Sequence, residues 1–211
     1  GFWLKEDALE VFELFWANPS TGVAGVEGAI TFFQWNDVAF FLLDNRYHRS
    51  PNDLKAEGKT ILGKEQLDWL IDALVYYNRA SFKVVVMGGQ FLNDAQRWEM
   101  YSNYGFEKER QYIIDQIYKQ NIENVVFISG DRHHSELSVL KEEGKPGIYD
   151  LTISPLTSSS HKPNPEEVNT LRVEGTWVHE RNFGWVKVFG ERGERKFHIS
   201  DFDPEGKQLW E

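Results

Sequence analysis

Residues 125–134 have the sequence VVFISGDRHH, in which an apolar run passes directly into a polar loop. The run Val125–Ser129 offers apolar side chains to both faces, which predicts a strand buried on both sides of a sheet. Two other apolar runs end in the same way: Leu42-Leu43 is followed by Asp44-Asn45-Arg46, and Val86-Met87 by Gly88-Gly89-Gln90. In wound α/β sheets the carboxyl ends of the strands line the ligand crevice. The three runs therefore predict one site at one edge of a sheet.

Helical periodicity separates these strands. Residues 64–77 and 107–120 each carry an apolar stripe at helical spacing, and each precedes a buried strand, at 83–87 and 125–129. This order predicts βαβ winding and an α/β fold. We further predict an amphipathic helix over 5–17, a hairpin over 29–33 and 38–43, and short strands over 149–154, 184–189, 195–202 and 208–210. Because the sequence shows no repeat and no linker, residues 1–211 are predicted to form a single domain.

The composition restricts the classes of function. Of the 211 residues 41% are apolar and 27% are charged, which excludes a disordered or fibrous chain. The formal net charge of −10 disfavours a nucleic-acid partner. No apolar run reaches about 18 residues, the length of a membrane-spanning helix, and the sequence starts without a signal-peptide pattern. Cysteine is absent, which excludes disulfide bonds and thiolate chemistry.

The loop after the last of the three strands holds the strongest candidates for metal ligands. In an extended segment, residues two apart face the same side, so Asp131 and His133 are predicted to bind one cation. His134 then faces the other way, either as a donor behind the ligands or as a group over the substrate. One alternative is an ordinary solvated loop. Another is a serine hydrolase using Ser129 or Ser135, for which the Gly-x-Ser-x-Gly motif is missing.

The ends of the other two strands hold candidates for substrate binding. A guanidinium group suits two phosphate oxygens, so Arg46 and Arg49, together with Asp44, are the predicted substrate-binding group. The alternative is that Asp44 and Arg46 form a structural pair. Gln90 is either a ligand to a hard cation through its amide oxygen or an ordinary loop amide.

Three segments in this order resemble the PhoD-like alkaline phosphatases and phosphodiesterases, a branch of the calcineurin-like metallophosphoesterases. They are LDNRYHR at 43–49, LGKEQLDWL at 62–70 and ISGDRHH at 128–134. The closing segments at 182–184 and 203–210 are also similar to that family. The resemblance covers nearly the whole chain.

This resemblance implies a four-layer αββα sandwich with mixed sheets and helices outside. It also implies two divalent or trivalent metal ions (Ca, Fe, Zn or Mn) and hydrolysis of phosphate mono- or diesters by a metal-activated water. Asp131 and His133 match the family's Gly-Asp-x-His ligand motif, and Arg46 its catalytic Asp-x-Arg motif. His134 is the second candidate catalytic residue, and Gln90 falls where related enzymes place a ligating histidine. Export from the cytoplasm is a further implication of the family.

The early metal motifs of that family have no counterpart here, since the only Gly-Asp pair is Gly130-Asp131. We therefore expect the N-terminal strands and most metal ligands to lie in an upstream segment of the same protein. Without that segment, the strands ending at Leu43, Met87 and Ser129 are expected to expose an apolar sheet edge, and the isolated chain to be poorly soluble and inactive. The alternative function is a non-catalytic module that binds carbohydrate or protein through its aromatic residues.

Overall fold

The computed structural model describes residues 3–98, 100–162 and 164–211. The elements in chain order are α1 (Lys5–Phe15), β1 (Thr31–Trp35), β2 (Val38–Leu42), α2 (Lys64–Tyr76), β3 (Phe82–Val86), α3 (Glu107–Lys119), β4 (Val125–Ser129), β5 (Glu136–Leu140), β6 (Ile148–Thr152), β7 (Phe183–Phe189), β8 (Lys196–Phe202) and β9 (Gln208–Trp210). The predicted helices and strands are confirmed to within a few residues at each end. The sequence does not predict β5, because Glu136 and Ser138 occupy its buried face, where a strand signal requires apolar residues.

Six strands form a mixed sheet in the order β1-β2-β3-β4-β6-β5, called the main sheet below. The strands β2, β3, β4 and β6 run parallel, while β1 and β5 pair antiparallel at the two edges. The helices α2 and α3 connect parallel neighbours, which confirms the βαβ winding. The last three strands form a small antiparallel sheet in the order β7-β8-β9.

The expectation of an exposed edge beside the strands that end near Leu43, Met87 and Ser129 is wrong. Each of β2, β3 and β4 is hydrogen-bonded to a neighbouring strand on both sides. The hairpin partner β1 covers β2, and β6, itself covered by β5, covers β4. The three strands that carry the predicted site therefore lie inside the sheet, where their backbone is held from both sides.

Both faces of the main sheet are covered. On one face α2 and α3 pack with buried strand residues such as Phe41 and Phe127. On the opposite face Val188 and Phe197 of the small sheet pack against the cluster formed by Val38, Phe82 and Val84. The mixed α/β class is thus confirmed, with helices, main sheet and small sheet as its layers. The described parts of the chain place no helix over the outer face of the small sheet, where Trp185 is 62% exposed, so the fourth layer stays a prediction.

The helix α1 lies outside these layers. None of its residues is buried, and it runs beside the segment 44–52 that follows β2. One contact between α1 and this segment is made by Lys5, whose Nζ lies 4.2 Å from the centre of the Tyr47 ring. Among the described residues, no helix is both long and apolar enough to cross a lipid bilayer.

Candidate active site

The carboxyl ends of β2, β3 and β4 open into one cavity of about 110 Å³, called the strand-end cavity below. It is lined by Asn45, Arg46, Arg49, Ile61, Gly88, Gly89, Gln90, Tyr101 and Asp131. Of the predicted site residues, Arg46, Arg49, Gln90 and Asp131 therefore share one space, whereas Asp44, His133 and His134 do not line it. The convergence of the three strand ends follows from their parallel direction within one sheet.

Asp44 shapes the loop that follows β2. Its Oδ1 accepts hydrogen bonds from the backbone N–H groups of Arg46 (2.7 Å) and Tyr47 (2.9 Å), and its Oδ2 accepts one from Ala29 (2.8 Å). A carboxylate that accepts three backbone N–H groups turns the chain sharply. Asp44 as a substrate-binding residue stays a prediction, while its contacts favour a role in presenting Arg46 to the cavity.

Gln66 of α2 holds the same loop. It is fully buried, and its Nε2 donates to the carbonyl oxygens of Asp44 and Leu62, both at 2.9 Å. Its Oε1 accepts from the N–H of Asp44 at 2.8 Å. Gln66 is not among the site residues predicted from the sequence. A polar side chain four positions before Leu70, on the apolar stripe of a predicted helix, is the signal that identifies it.

The two arginines differ in burial. Arg49 is only 9% exposed; its Nη2 donates to Oδ1 of Asn52 at 3.0 Å, and its guanidinium carbon lies 4.5 Å from the centre of the Phe106 ring. Arg46 is exposed and lines both the strand-end cavity and a larger groove beside it. The pair places positive charge on one wall of a small cavity, which is the arrangement that binds an anion.

The loop after β3 is anchored by Asp150 of β6. This residue is buried, and its Oδ2 accepts hydrogen bonds from the N–H groups of Phe91 (2.8 Å) and Leu92 (2.7 Å). Burial raises the pKa of Asp150 to about 6, although the two backbone N–H groups limit the rise. At the other end of the loop, Gly88 donates its N–H to Oδ1 of Asn45 at 3.0 Å. The loop that carries Gln90 is therefore held at both ends.

Gln90 forms hydrogen bonds with both ends of its amide. Its Nε2 donates to Oε1 of Glu136 (2.6 Å) and Oγ1 of Thr152 (2.8 Å). Its Oε1 accepts from Asn93 Nδ2 and Arg132 Nη1, each at 3.0 Å. Two donors already use the oxygen that a cation would need. Gln90 as a metal ligand stays a prediction, and its contacts favour a structural role in the floor of the cavity.

The loop after β4 is not extended, so the reasoning that put Asp131 and His133 on one side of a strand is wrong. Both residues have left-handed backbone angles, with φ of 66° and 55°. Between them the side chain of Arg132 turns inward, donating to Gln90 and to Glu167, whose Oε1 is 2.6 Å away. Asp131 is left exposed at the cavity. His133 instead meets the 158–161 segment, where its Nδ1 lies 2.6 Å from the carbonyl oxygen of Ser159.

His134 lies in a buried polar cluster rather than at the cavity. It is 3% exposed, and its Nε2 has no hydrogen-bond partner but lies 3.7 Å from Oε1 of Glu136. Burial alone raises the pKa of Glu136, but His134 and Arg172 outweigh it and lower that pKa to about 2. Glu136 is a second residue that the sequence analysis missed, because nothing local marks a buried carboxylate in a short strand. His134 as a catalytic residue stays a prediction.

The described side chains do not make up a metal centre on their own. A two-metal centre needs about six protein ligands, since each cation takes roughly four to six donors. Within residues 3–98, 100–162 and 164–211, no group of three or more His, Asp and Glu side chains is placed to hold a metal ion. Asp131 and His133 have different neighbours, and the oxygen of Gln90 is engaged. The described residues alone therefore do not form a complete metal centre.

Solved structures resemble this fold over part of their length. That of PhoD has a TM-score of 0.65 and 17% sequence identity, and the match covers 96% of this chain and 47% of PhoD. The chain therefore spans about half the length of PhoD, and at this identity the likeness concerns the fold alone. The purple acid phosphatase PPD1 from yellow lupin (Lupinus luteus) seeds has a TM-score of 0.46 and 10% identity, over 85% of this chain and 31% of that one.

A comparison with curated protein sequences finds no match. The family model of the PhoD-like phosphatases, by contrast, matches residues 29–201. This span contains β1 to β7, most of β8, and the three loops that build the strand-end cavity. Because the match covers most of the sequence and every loop of the site, the chain belongs to the PhoD-like phosphatase family.

Proposed function

We propose that this protein hydrolyses phosphate mono- or diesters at the strand-end cavity and that the reaction depends on metal ions. The observation that carries the proposal is the cavity itself, where Arg46 and Arg49 meet Asp131 at the ends of three parallel strands. Its volume of about 110 Å³ suits a phosphoryl group and little more. The family assignment supports the same reaction class and does not favour the alternative of a non-catalytic carbohydrate- or protein-binding module.

The arginines bind the phosphoryl oxygens in this proposal. A guanidinium group donates two parallel hydrogen bonds to two oxygens of one phosphate, and the charge on these oxygens is stabilised as the ester bond breaks. Arg49 is held by Asn52 and by the Phe106 ring, so its position is set before a ligand arrives. Arg46 is exposed and lines the same cavity, where it is the second guanidinium group for the phosphate. Together they fix the phosphorus atom near the exposed carboxylate of Asp131.

That carboxylate supports metal dependence. The Asp131 carboxylate would repel a phosphate bound in the same small cavity, and a bound cation would offset that repulsion. Asp131 is therefore the proposed metal ligand at the cavity; His133 is proposed as a second ligand on the family's Gly-Asp-x-His motif alone, since it does not line the cavity. Carboxylate oxygen suits Ca and Mn ions, and imidazole suits Fe and Zn ions, so these four metals are the candidates.

The remaining ligands are proposed to come from an upstream segment of the same protein. Two observations support this: the described residues offer too few donors, and the chain corresponds to 47% of PhoD. The proposal includes a location outside the cytoplasm, for which the support is the family's usual export.

Arg46→Lys tests the substrate role. Lysine keeps the positive charge but loses the two-pronged guanidinium, so we expect kcat/KM to fall by about tenfold or more. The assay uses 4-nitrophenyl phosphate and bis(4-nitrophenyl) phosphate with a polypeptide extended upstream of residue 1, and circular dichroism verifies the fold. Arg97→Lys is the matched control, since Arg97 pairs on the surface with Glu166. Unchanged turnover in a folded Arg46→Lys variant means that Arg46 does not bind the phosphate.

Elemental analysis of Asp131→Asn and His133→Ala tests the metal ligands. Both variants should contain less metal than the parent, whereas Asp68→Asn, which alters a half-exposed carboxylate of α2, should not. Full metal content in both site variants contradicts the metal assignment. Residues 1–211 alone should be inactive, so full metal loading and turnover by this chain by itself would contradict the proposed upstream ligands.

A further inference from the structure

A groove of about 670 Å³ lies between α1 and the segment 44–52, and we call it the α1 groove. Its α1 wall is formed by Ala8, Leu9 and Phe12, and the opposite wall includes Tyr47 and Pro51. The volume lies within the range of about 300–1,000 Å³ that is typical of sites for small organic ligands. The walls are mainly apolar, so the groove suits a hydrocarbon or aromatic group.

The two walls are tied together by contacts at one end of the groove. Lys5 places its Nζ over the Tyr47 ring, and the Tyr47 hydroxyl donates to Oε2 of Glu27 at 2.8 Å. Further along α1, Glu13 accepts a hydrogen bond of 2.6 Å from the hydroxyl of Thr21. The Lys5–Tyr47 contact thus joins the two walls at one end of the groove, and the Glu13–Thr21 hydrogen bond attaches α1 to the segment that follows it.

The α1 groove adjoins the strand-end cavity. Arg46 and Arg49 line both spaces, so an anion held by these arginines lies at the mouth of the groove. The carboxylate of Asp44, which also lines the groove, already accepts three backbone hydrogen bonds. Lys5 adds a positive charge on the α1 side. The ligand that matches this arrangement has an anionic head at the arginines and an apolar tail along α1.

We propose that the substrate is a phosphate ester with a bulky apolar group, and that the α1 groove binds this group. The inference rests on the proposed function, because it takes the arginine cavity as the phosphate site. It adds that the length of the apolar chain on the ester determines how tightly a substrate binds. Each methylene removed from water strengthens binding by about fourfold. Burial of three methylenes therefore gives a preference of about 60-fold for a long chain over a short one.

Octylphosphonate and ethylphosphonate are the probes for this preference. They share one anionic head, and their carbon–phosphorus bond resists ester hydrolysis, so binding is measured without turnover. Isothermal titration calorimetry on the polypeptide extended upstream of residue 1, with the octyl compound below its micelle concentration, provides the ratio of the two dissociation constants. The octyl chain is six methylenes longer than the ethyl chain; with half of them buried in the open groove, we expect ethylphosphonate to bind about 60-fold more weakly than octylphosphonate. Equal binding of the two probes overturns the proposal, whatever else occupies the groove.

Ala8→Trp is the variant that fills the groove. Ala8 is an exposed residue of α1 on the groove wall, and an indole at this position occupies the space of the chain. We expect the ratio of the two dissociation constants to fall towards one. Val11→Trp is the matched control: it adds the same side chain on the same helix, at a position that is 53% exposed and does not line the groove. If both variants or neither lower the ratio, the α1 groove is not the binding site for the chain.

The two proposals fail in different ways. If octylphosphonate is preferred but no phosphate ester is hydrolysed by the extended polypeptide, the groove assignment stands as a binding site and the proposed hydrolysis is wrong. If 4-nitrophenyl phosphate is hydrolysed and chain length has no effect on binding, the proposed hydrolysis stands and the groove assignment is wrong.

Discussion

Replacing Glu136 by glutamine tests the buried network beneath the strand-end cavity. Glu136 is 0% exposed, and its Oε1 accepts hydrogen bonds from Gln90 (2.6 Å), Asn93 (3.0 Å) and Asn169 (3.1 Å). Its Oε2 accepts one from Arg172 Nε. Every neighbour donates, and the amide nitrogen of glutamine cannot accept. Whichever way the new side chain turns, its NH₂ group therefore faces either the three amide donors or the Arg172 guanidinium.

The magnitude follows from two independent routes. Removing one partner of a buried ion pair costs about 3–5 kcal/mol, because it leaves the other charge without compensation. The pKa of Glu136 is lowered from 4.5 to about 2, against the effect of burial, by His134 and Arg172. At 1.36 kcal/mol per pH unit, this difference is about 3 kcal/mol. We therefore expect Glu136→Gln to lower the free energy of unfolding by about 3 kcal/mol at pH 7.

The pH dependence has a definite sign. The folded-state pKa lies below the unfolded value, so the stabilisation by Glu136 is fully present above about pH 4.5 and is lost as the pH falls towards 2. The stability difference between the parent and Glu136→Gln should therefore narrow over that range. Urea unfolding followed by tryptophan fluorescence at pH 7, 5, 4 and 3 measures it.

Glu142→Gln is the control for this experiment. Glu142 pairs with Lys145 on the surface, where both side chains are 44% exposed, so its replacement should change the stability by less than about 0.5 kcal/mol. A loss below about 1 kcal/mol for Glu136→Gln at pH 7, or a difference that stays constant from pH 5 to 3, refutes the reasoning.

Two further predictions concern the loops of the cavity. Burial raises the pKa of Asp150 from 3.8 to about 6, so the protein loses about 3 kcal/mol of stability as the pH rises from about 4 to 6 and this carboxyl group ionises. Asp150→Asn should abolish this loss in urea titrations. A pH profile of stability that is the same in the variant and the parent would contradict the prediction. Gln66→Ala leaves the backbone N–H and C=O of Asp44 unpaired, which should cost about 2–4 kcal/mol of stability. Its control is Glu65→Ala on the exposed side of the same helix, and equal effects of the two changes would remove the role given to Gln66.

Most of the helices and strands could be predicted from the sequence because their buried side chains are apolar and recur at regular spacing. The helices α2 and α3 show their apolar stripes, and β3 and β4 their apolar runs, since a side chain that faces a core must be apolar wherever its partner lies. The polar ends of β2, β3 and β4 then converge because parallel strands end at one edge. Family motifs around Asp44–Arg49 and Gly130–His134 added the reaction class.

The strand β5 could not be predicted from the sequence because its buried face is polar. Glu136 and Ser138 occupy the positions at which a strand pattern requires apolar residues. Their burial is possible only because Asn169 and Arg172, which follow more than thirty residues later in the chain, supply hydrogen bonds to them. The periodicity of a short stretch of sequence carries no information about hydrogen-bond partners more than thirty residues away.

The sequence by itself determined the α/β class, the three strand ends and the family. Only the tertiary structure decided how the site is arranged. The side chain of Arg132, between Asp131 and His133, turns inward, and Gln90 is held by Glu136. A groove lies between α1 and the segment that carries Arg46. The reason is physical. Local patterning reports whether a side chain leaves water, which depends on its own apolarity, whereas the partner of a buried polar group depends on which distant segment the fold brings within about 3 Å of it.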